Sequence, residues 1–196
     1  MDNYGKLLSN KEKELIGLLK LDETAVVLID VQGKLAEIVH ESEQLLDSTE
    51  KLIKGAQILE VPILWLEQYP KGLGPTKEQL KQHLTDQTPI EKIAFSGCKC
   101  DEFQEQLKKL DKKSYLVAGI ETHICVYQTV SELLAQGKEV EIVVDCVSSR
   151  TLANKEIGIE KMKQLGAKVT SVEMALFELM ETAKHPKFKE ISNLIK

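Results

Sequence analysis

The sequence is poor in the features that mark several large classes of protein. It has four cysteines, 5% aromatic residues and a formal net charge of −5 over 196 residues. Four scattered cysteines are too few for the disulfide framework of a small secreted domain. There is no basic stripe or arginine cluster, so we expect no nucleic-acid partner. No apolar run approaches the roughly 18–20 residues that cross a membrane, so we expect no membrane association.

The N-terminus lacks the pattern of a signal peptide. Residues 1–20 carry charges throughout, whereas a signal peptide has a continuous apolar core. The apolar residues of this segment are spaced as in short amphipathic helices. We therefore expect residues 1–20 to form a helical extension and the protein to be cytoplasmic.

The composition that is present predicts a globular protein. The hydrophobic fraction is 42% and the charged fraction is 29%, both typical of a folded domain. A chain of 196 residues suits one domain with a sizeable core. We expect a single domain over residues 1–196, ending in a helical tail at 182–196.

Apolar runs alternate along the chain with segments of helical periodicity. Strands are predicted over residues 24–30, 61–66, 90–95, 114–120, 140–144 and 167–170. The main helices are predicted over residues 42–60, 100–110, 124–136 and 151–165. Alternation without an internal repeat predicts an α/β fold of three α/β/α layers around a doubly wound, largely parallel sheet of six strands. Such sheets bind ligands at the carboxyl ends of their strands, so the polar residues there are the candidates for chemistry.

Cys125 occupies the most distinctive of these positions. An apolar strand ends at Gly119 and a helix begins near Ile124, so Cys125 is expected in the first helical turn. Free N–H groups and the helix dipole favour a thiolate there and could bind an oxyanion. The local sequence fits equally well a small buried residue that packs the helix against the sheet.

Asp30 and Lys92 are candidates for a buried charged pair. Asp30 ends the first strand and is placed to accept a thiol proton, although a turn or helix-capping carboxylate is the commoner use of this position. Lys92 lies in an apolar stretch, where a buried lysine needs a partner. Pairing with Asp30 would supply one; the alternative is an edge-strand lysine that points to water.

Three segments together resemble the signatures of the isochorismatase-like cysteine hydrolase superfamily. They are Asp30-Val-Gln32, the strand from Lys92 to Ser96, and Gly119-Ile-Glu-Thr-His-Ile-Cys125-Val. The resemblance runs from about residue 24 to residue 179. Segments 67–75, 144–150 and 185–191 further resemble the isochorismatase domain-containing branch, which has no well-established physiological substrate.

The resemblance implies a fold and a mechanism. It implies the strand order 3-2-1-4-5-6 and hydrolysis of a small amide-like C–N bond through a covalent thioester. Cys125 would be the nucleophile, Asp30 the base and Lys92 the cation that orients Asp30. A cis peptide between Ile120 and Glu121 would turn the N–H of Glu121 to form an oxyanion hole with that of Cys125. The alternative function is a catalytically silent binding or scaffold protein on the same fold.

The resemblance also bears on metals, subunits and substrate contacts. Nicotinamidases of this superfamily carry an Asp/His metal cluster after the second strand, whereas residues 67–71 contain no histidine. Zinc-type sites need about three protein ligands, so we expect no metal and no cofactor. The family commonly forms dimers or larger homo-oligomers, and we expect the same here. Candidate pocket residues for a small-molecule substrate are Gln32, Gln68, Tyr69, Thr122, His123 and Arg150. For Gln68, Tyr69 and Arg150, turn packing or a surface or subunit salt bridge is the favoured explanation.

Overall fold

The computed structural model describes residues 18–196. Residues 1–17, which hold most of the expected N-terminal helical extension, lie outside the described residues. Residues 18–20 are not helical, and a 3₁₀ turn at Leu21–Glu23 leads into the first strand. Within residues 18–196, no helix is long and apolar enough to span a membrane.

Six strands form one sheet. They are β1 Thr24–Ile29, β2 Ile63–Gln68, β3 Ile90–Lys92, β4 Ser114–Ile120, β5 Glu139–Ser148 and β6 Lys168–Thr170. Their order is β3-β2-β1-β4-β5-β6, and all five neighbouring pairs are parallel. The predicted doubly wound sheet and its strand order are therefore confirmed.

Helices cover both faces of the sheet. They are α1 Leu35–Ile38, α2 Ser42–Ile58, α3 Pro70–Leu73, α4 Glu78–Lys81, α5 Asp101–Leu110, α6 Tyr127–Ala135, α7 Leu152–Gln164, α8 Val172–Met180 and α9 Phe188–Ile195. One core contains alternate residues of β1 and β4 with buried residues of α2, α8 and α9. The other core contains the intervening residues of the same strands with buried residues of α5, α6 and α7. This division follows from the period of two in a strand, and it gives the three predicted layers.

The C-terminal segment contains a helix that packs against the domain. Ile191 of α9 is fully buried in the core that contains α2 and α8. The rings of Phe177 and Phe188 meet edge to face, with 6.1 Å between their centroids. Part of the expected tail at 182–196 is thus helical, while residues 182–187 form turns.

β3 and β5 differ by several residues in length from their predicted spans. β3 ends at Lys92, because the next carbonyls bond to side chains instead of a neighbouring strand: Ile93 O accepts from Gln68 and Phe95 O from Lys92. β5 continues to Ser148, past the acidic Asp145 that closed its apolar run. The carboxylate of Asp145 accepts from the N–H of Val172 at 3.1 Å, so it caps α8 while its backbone stays in the strand.

Candidate active site

The sheet order brings the three expected site residues to one edge. Asp30 directly follows β1, Lys92 is the last residue of β3, and Cys125 lies five residues beyond β4. β1 lies between β2 and β4, so Lys92 reaches Asp30 across the end of β2. All three side chains are buried, with exposed fractions of 2% for Asp30, 3% for Lys92 and 7% for Cys125.

Lys92 uses all three of its ammonium hydrogens within the protein. Its Nζ lies 2.6 Å from Oδ2 of Asp30, 2.7 Å from Oε1 of Gln68 and 3.1 Å from the carbonyl oxygen of Phe95. Three acceptors match the three donors of an ammonium group. These three contacts hold the ammonium group in a fixed position beside Asp30.

Asp30 has one carboxylate oxygen engaged and the other available. Its Oδ1 is buried and, among the described residues, makes no hydrogen bond of ordinary length. The thiol of Cys125 lies near enough for a weak hydrogen bond that lowers the pKa of Asp30. Burial is the largest influence and raises that pKa above its ordinary value, against the charge of Lys92. A carboxylate with a raised pKa is a stronger base toward a thiol.

Cys125 lies in a π-helical turn, Thr122–Val126, which immediately precedes α6; we call it the Cys125 turn. Burial, followed by the negative charge of Asp30, raises the pKa of the thiol to about 12, although the charge of Lys92 acts to lower it. The thiolate that the sequence favoured at a helix start is therefore not the resting form. Desolvation outweighs the helix terminus and keeps the sulfur protonated.

The backbone of the Cys125 turn is anchored at its start. The N–H groups of Ile124 and Val126 both donate to the carbonyl oxygen of Glu121, at 3.0 and 3.3 Å. The carbonyl of Cys125 accepts from the hydroxyl of Thr129 at 2.7 Å. The peptide bond between Ile120 and Glu121 is cis.

Two glycines allow the close packing on which the Cys125 turn depends. Gly119 has φ +132, and a Cβ there would lie 2.0 Å from the carbonyl oxygen of Ile29, its neighbour in β1. Gly158 of α7 faces the turn directly, and a Cβ there would lie 2.9 Å from the carbonyl carbon of Thr122. Backbone thus contacts backbone on both sides of the turn, and neither position has room for a side chain.

Gln32 and Gln68, two of the candidate pocket residues, are bonded within the protein. The amide of Gln32 accepts from the N–H of Gln68 at 2.6 Å and donates to the carbonyl of Gly74 at 2.7 Å. The amide of Gln68 accepts from Lys92 and donates to the carbonyl of Ile93 at 2.6 Å. Both side chains join loops at the sheet edge.

The other four candidates lie on different sides of the site. Thr122 is buried with no partner for its hydroxyl among the described residues, and Nδ1 of His123 lies 2.9 Å from the hydroxyl of Ser149. Arg150 is exposed and bonds the buried carboxylate of Glu121 through its Nε at 3.0 Å. Tyr69 is 51% exposed and lines a cavity of about 270 Å³ together with Lys92 and other residues of α3 and β3.

Glu67 and Ser149 are among the polar residues that follow the predicted strands, but the sequence did not assign either of them a contact. Ser149 fixes the ring of His123, and Glu67 is buried with its Oε1 accepting from the N–H and the hydroxyl of Thr76 at 2.6 and 2.8 Å. The charge of Glu67 raises the pKa of Asp30. The signal available for Glu67 was a carboxylate at the end of an apolar strand. Within residues 18–196, no group of three or more His, Cys, Asp or Glu side chains is arranged to hold a metal ion.

The fold and the site place this chain among the doubly wound α/β proteins that have a buried thiol at the carboxyl edge of the sheet. The model of the Isochorismatase domain family matches residues 24–174. The chain belongs to that family and has its hydrolase fold.

Curated relatives match over nearly their whole length. Isochorismatase family protein 1A of Dictyostelium discoideum is 38% identical over 181 residues, covering 90% of this chain and 87% of the relative. The secreted isochorismatase effector Isc1 of Phytophthora sojae is 36% identical, covering 96% and 91%. Isochorismatase domain-containing protein 2A of Mus musculus is 34% identical, covering 92% and 86%. The chain is therefore similar to the isochorismatase domain-containing branch, as the sequence motifs predicted.

Solved structures give the same fold. The structure of MAR1 ribonuclease from Caenorhabditis elegans has a TM-score of 0.86 and 37% identity, covering 91% of this chain and 92% of that one. The YcaC gene product of Escherichia coli, described as an octameric hydrolase of unknown specificity, has a TM-score of 0.82 and 21% identity, covering 91% and 94%. The second likeness shows the fold alone.

Proposed function

We propose that this protein is a metal-independent cysteine hydrolase that cleaves a small amide-like C–N bond through a thioester on Cys125. The observation that carries the proposal is the division of the Asp30 carboxylate. Its Oδ2 is held by Lys92 at 2.6 Å, its Oδ1 is buried without a hydrogen bond among the described residues, and the carboxyl group is close enough to Cys125 for the thiol to lower its pKa. A buried acceptor left open next to a protonated nucleophile is the arrangement that general-base activation requires.

The proposed reaction begins from the neutral thiol. Sγ of Cys125 attacks the carbonyl carbon as its proton passes to Oδ1 of Asp30, forming a C–S bond and an oxyanion. The N–H groups of Glu121 and Cys125 receive the oxyanion. On collapse the C–N bond breaks, and Asp30 returns the proton to the departing nitrogen. Water then attacks the thioester carbonyl and passes a proton to Asp30. The C–S bond breaks, Asp30 returns that proton to Sγ of Cys125, and a carboxylic acid is released.

Lys92 acts through its charge in this scheme. Its three hydrogens are already bonded within the protein, so it is assigned no proton transfer. Its positive charge keeps Asp30 ionised in a buried site and offsets negative charge during the attack. No cofactor takes part in any step.

The setting of the reaction is part of the proposal. We assign a small-molecule substrate, a homo-oligomeric assembly and a cytoplasmic location, with no nucleic-acid or membrane partner. The E. coli structure of the same fold is an octamer, which supports an oligomer, while the Phytophthora relative is described as secreted. The C. elegans protein is described as a ribonuclease. The net charge of −5 disfavours an RNA substrate for this chain.

The pH dependence of thiol alkylation tests the pairing without a known substrate. Transfer of the thiol proton to Asp30 makes the iodoacetamide rate at Cys125 nearly constant from the raised pKa of Asp30 up to about pH 9. A buried thiol of pKa about 12 with no base instead reacts in proportion to its thiolate fraction, which rises about tenfold per pH unit. Rates are measured by peptide mass spectrometry between pH 5 and pH 9.

Asp30→Asn is the matched control, and it should change the flat profile of Cys125 into the tenfold-per-unit rise. A wild-type rate at Cys125 that already rises tenfold per unit would contradict the proposal. That outcome would favour a catalytically silent binding or scaffold protein on this fold.

A further inference from the structure

Gln68 occupies the point where β2 and β3 meet the buried charges. It is the last residue of β2 and pairs in register with Lys92 of β3. Its side chain is buried, with 8% of the residue exposed. Oε1 lies 2.7 Å from Nζ of Lys92, and Nε2 lies 2.6 Å from the carbonyl oxygen of Ile93.

These two bonds fix the direction of the Gln68 amide. The ammonium of Lys92 can only donate and the carbonyl of Ile93 can only accept, so the oxygen must face Lys92 and the nitrogen Ile93. A buried amide with both ends engaged is expensive to redirect toward a ligand. The backbone of Gln68 is also held, because its N–H donates to Oε1 of Gln32 at 2.6 Å and its carbonyl accepts from Nε2 of Gln32 at 3.2 Å.

We infer that Gln68 is a positioning residue that holds the Lys92 ammonium against Oδ2 of Asp30 and so leaves Oδ1 for the thiol of Cys125. This inference rests on the proposed function for the last of these links. It assigns Gln68 to the polar support of the base, in place of the substrate contact expected from its position after a strand. Gln32 supports it in turn by fixing its backbone.

Removal of the amide should change the acidity of Asp30. In Gln68→Met the ammonium loses one acceptor and its hold on Asp30 weakens, so the pKa of Asp30 rises. The acid limb of the Cys125 alkylation profile should then move up by about one pH unit. Gln68→Glu keeps an acceptor for Lys92 but adds a negative charge near Asp30, so its limb should move further in the same direction.

Gln104→Met is the matched control. Gln104 also donates through Nε2 to a backbone carbonyl, that of Cys98, at 2.8 Å, but it lies on α5 away from Asp30. Its alkylation profile should match that of the wild type. A purely structural role for Gln68 would lower stability without moving the acid limb, and this result would overturn the inference.

A second measurement makes the contact between Gln68 and Lys92 testable without the proposed chemistry. Gln68→Met should lower the urea midpoint of unfolding in the wild type but have little effect, or raise it, in Lys92→Met. In that background the amide oxygen has already lost its partner. Equal shifts in both backgrounds would overturn the contact.

The alkylation profile and the urea comparison together distinguish failure of the proposed function from failure of the inference about Gln68. A wild-type profile without a flat region defeats the proposed function, and the urea comparison still decides whether Gln68 holds Lys92. A flat wild-type profile whose acid limb does not move in Gln68→Met defeats this inference alone. If Lys92→Met does not fold, the Gln68→Met profile decides.

Discussion

Cys98 and Cys125 occupy similar places in the fold. Cys98 lies in a 3₁₀ turn, Gly97–Lys99, that follows β3, and Cys125 lies in the turn that follows β4. Their exposed fractions are 9% and 7%, and burial raises the pKa of each thiol to about 12. Burial and acidity therefore do not distinguish the two sulfurs.

The acid beside each thiol does distinguish them. Near Cys98, Glu132 accepts from the hydroxyl of Ser96 at 2.8 Å and lies 3.6 Å from Lys99, and both charged side chains are partly exposed. The thiol of Cys98 points instead to the carbonyl oxygen of Thr129, at 3.8 Å. Near Cys125 the Asp30–Lys92 pair is buried and keeps one carboxylate oxygen open. Under the proposed mechanism, the two thiols should differ in reactivity because only Cys125 has a buried base, and the Cys98 region serves as the control.

The largest expected difference between the two regions is in turnover. In a panel of small primary amides assayed by ammonia release, Cys125→Ala should abolish hydrolysis, since loss of a nucleophile costs roughly 10⁴- to 10⁶-fold in kcat. Cys98→Ala should retain activity within a few-fold. With a slowly hydrolysed substrate, intact-protein mass spectrometry should detect an acyl adduct on the wild type but not on Cys125→Ala. Equal activity of the two variants would remove the distinction between the regions.

The two lysines should differ in their effect on stability. Lys92→Met leaves the buried carboxylate of Asp30 without a cation, and we expect a loss of about 3–5 kcal/mol in the free energy of unfolding. Lys99→Met removes a partly exposed pair and should cost under about 1 kcal/mol. Urea unfolding at pH 7 measures both changes. A loss for Lys92→Met as small as that for Lys99→Met would mean that the pair is hydrated in solution.

The smallest expected difference is between two glycines. In Gly158→Ala the new Cβ meets backbone of the Cys125 turn at 2.9 Å, so we expect a loss of about 1–2 kcal/mol despite the better helix propensity of alanine. In Gly97→Ala the nearest atom, also at 2.9 Å, is the end of the Leu66 side chain, which can move; we expect a smaller loss. Urea midpoints report both, and Gly158→Ala should also slow alkylation of Cys125. A greater loss in Gly97→Ala would reverse this ranking.

Much of the fold follows from the sequence because the central strands are unmistakable. Residues 24–29 and 114–120 are continuous apolar runs, and both are buried throughout in the structure. The pairing of Lys92 with Asp30 could be anticipated because a lysine in an apolar stretch needs an anion. The extension of β5 through Asp145 could not, because it depends on the pairing of Val147 and Ser148 with Gly119 and Ile120 of β4, which are distant in sequence.

The hydrogen bonds that hold Lys92 could not be predicted from the sequence for a similar reason. Gln68 meets Lys92 only because β2 and β3 are neighbours, and no spacing rule links residues 24 apart. The π-helical form of the Cys125 turn was also not predicted, since apolar periodicity at residues 124–136 reads as one continuous helix. The state of the thiol depends on desolvation, which is a property of the folded chain.

Gly119 affects the spacing between the two strand ends that lead to Asp30 and Cys125, although it has no reactive side chain. It lies opposite Ile29 in the pairing of β1 with β4, one residue before Asp30 on one strand and six before Cys125 on the other. A Cβ at this position would lie 2.0 Å from the carbonyl oxygen of Ile29, so a side chain there would force apart the strand ends that lead to Asp30 and to Cys125. Any residue larger than glycine would act as a wedge between the strands. A laboratory selection for new substrates could vary exposed residues around the site, but we expect it to retain glycine at position 119.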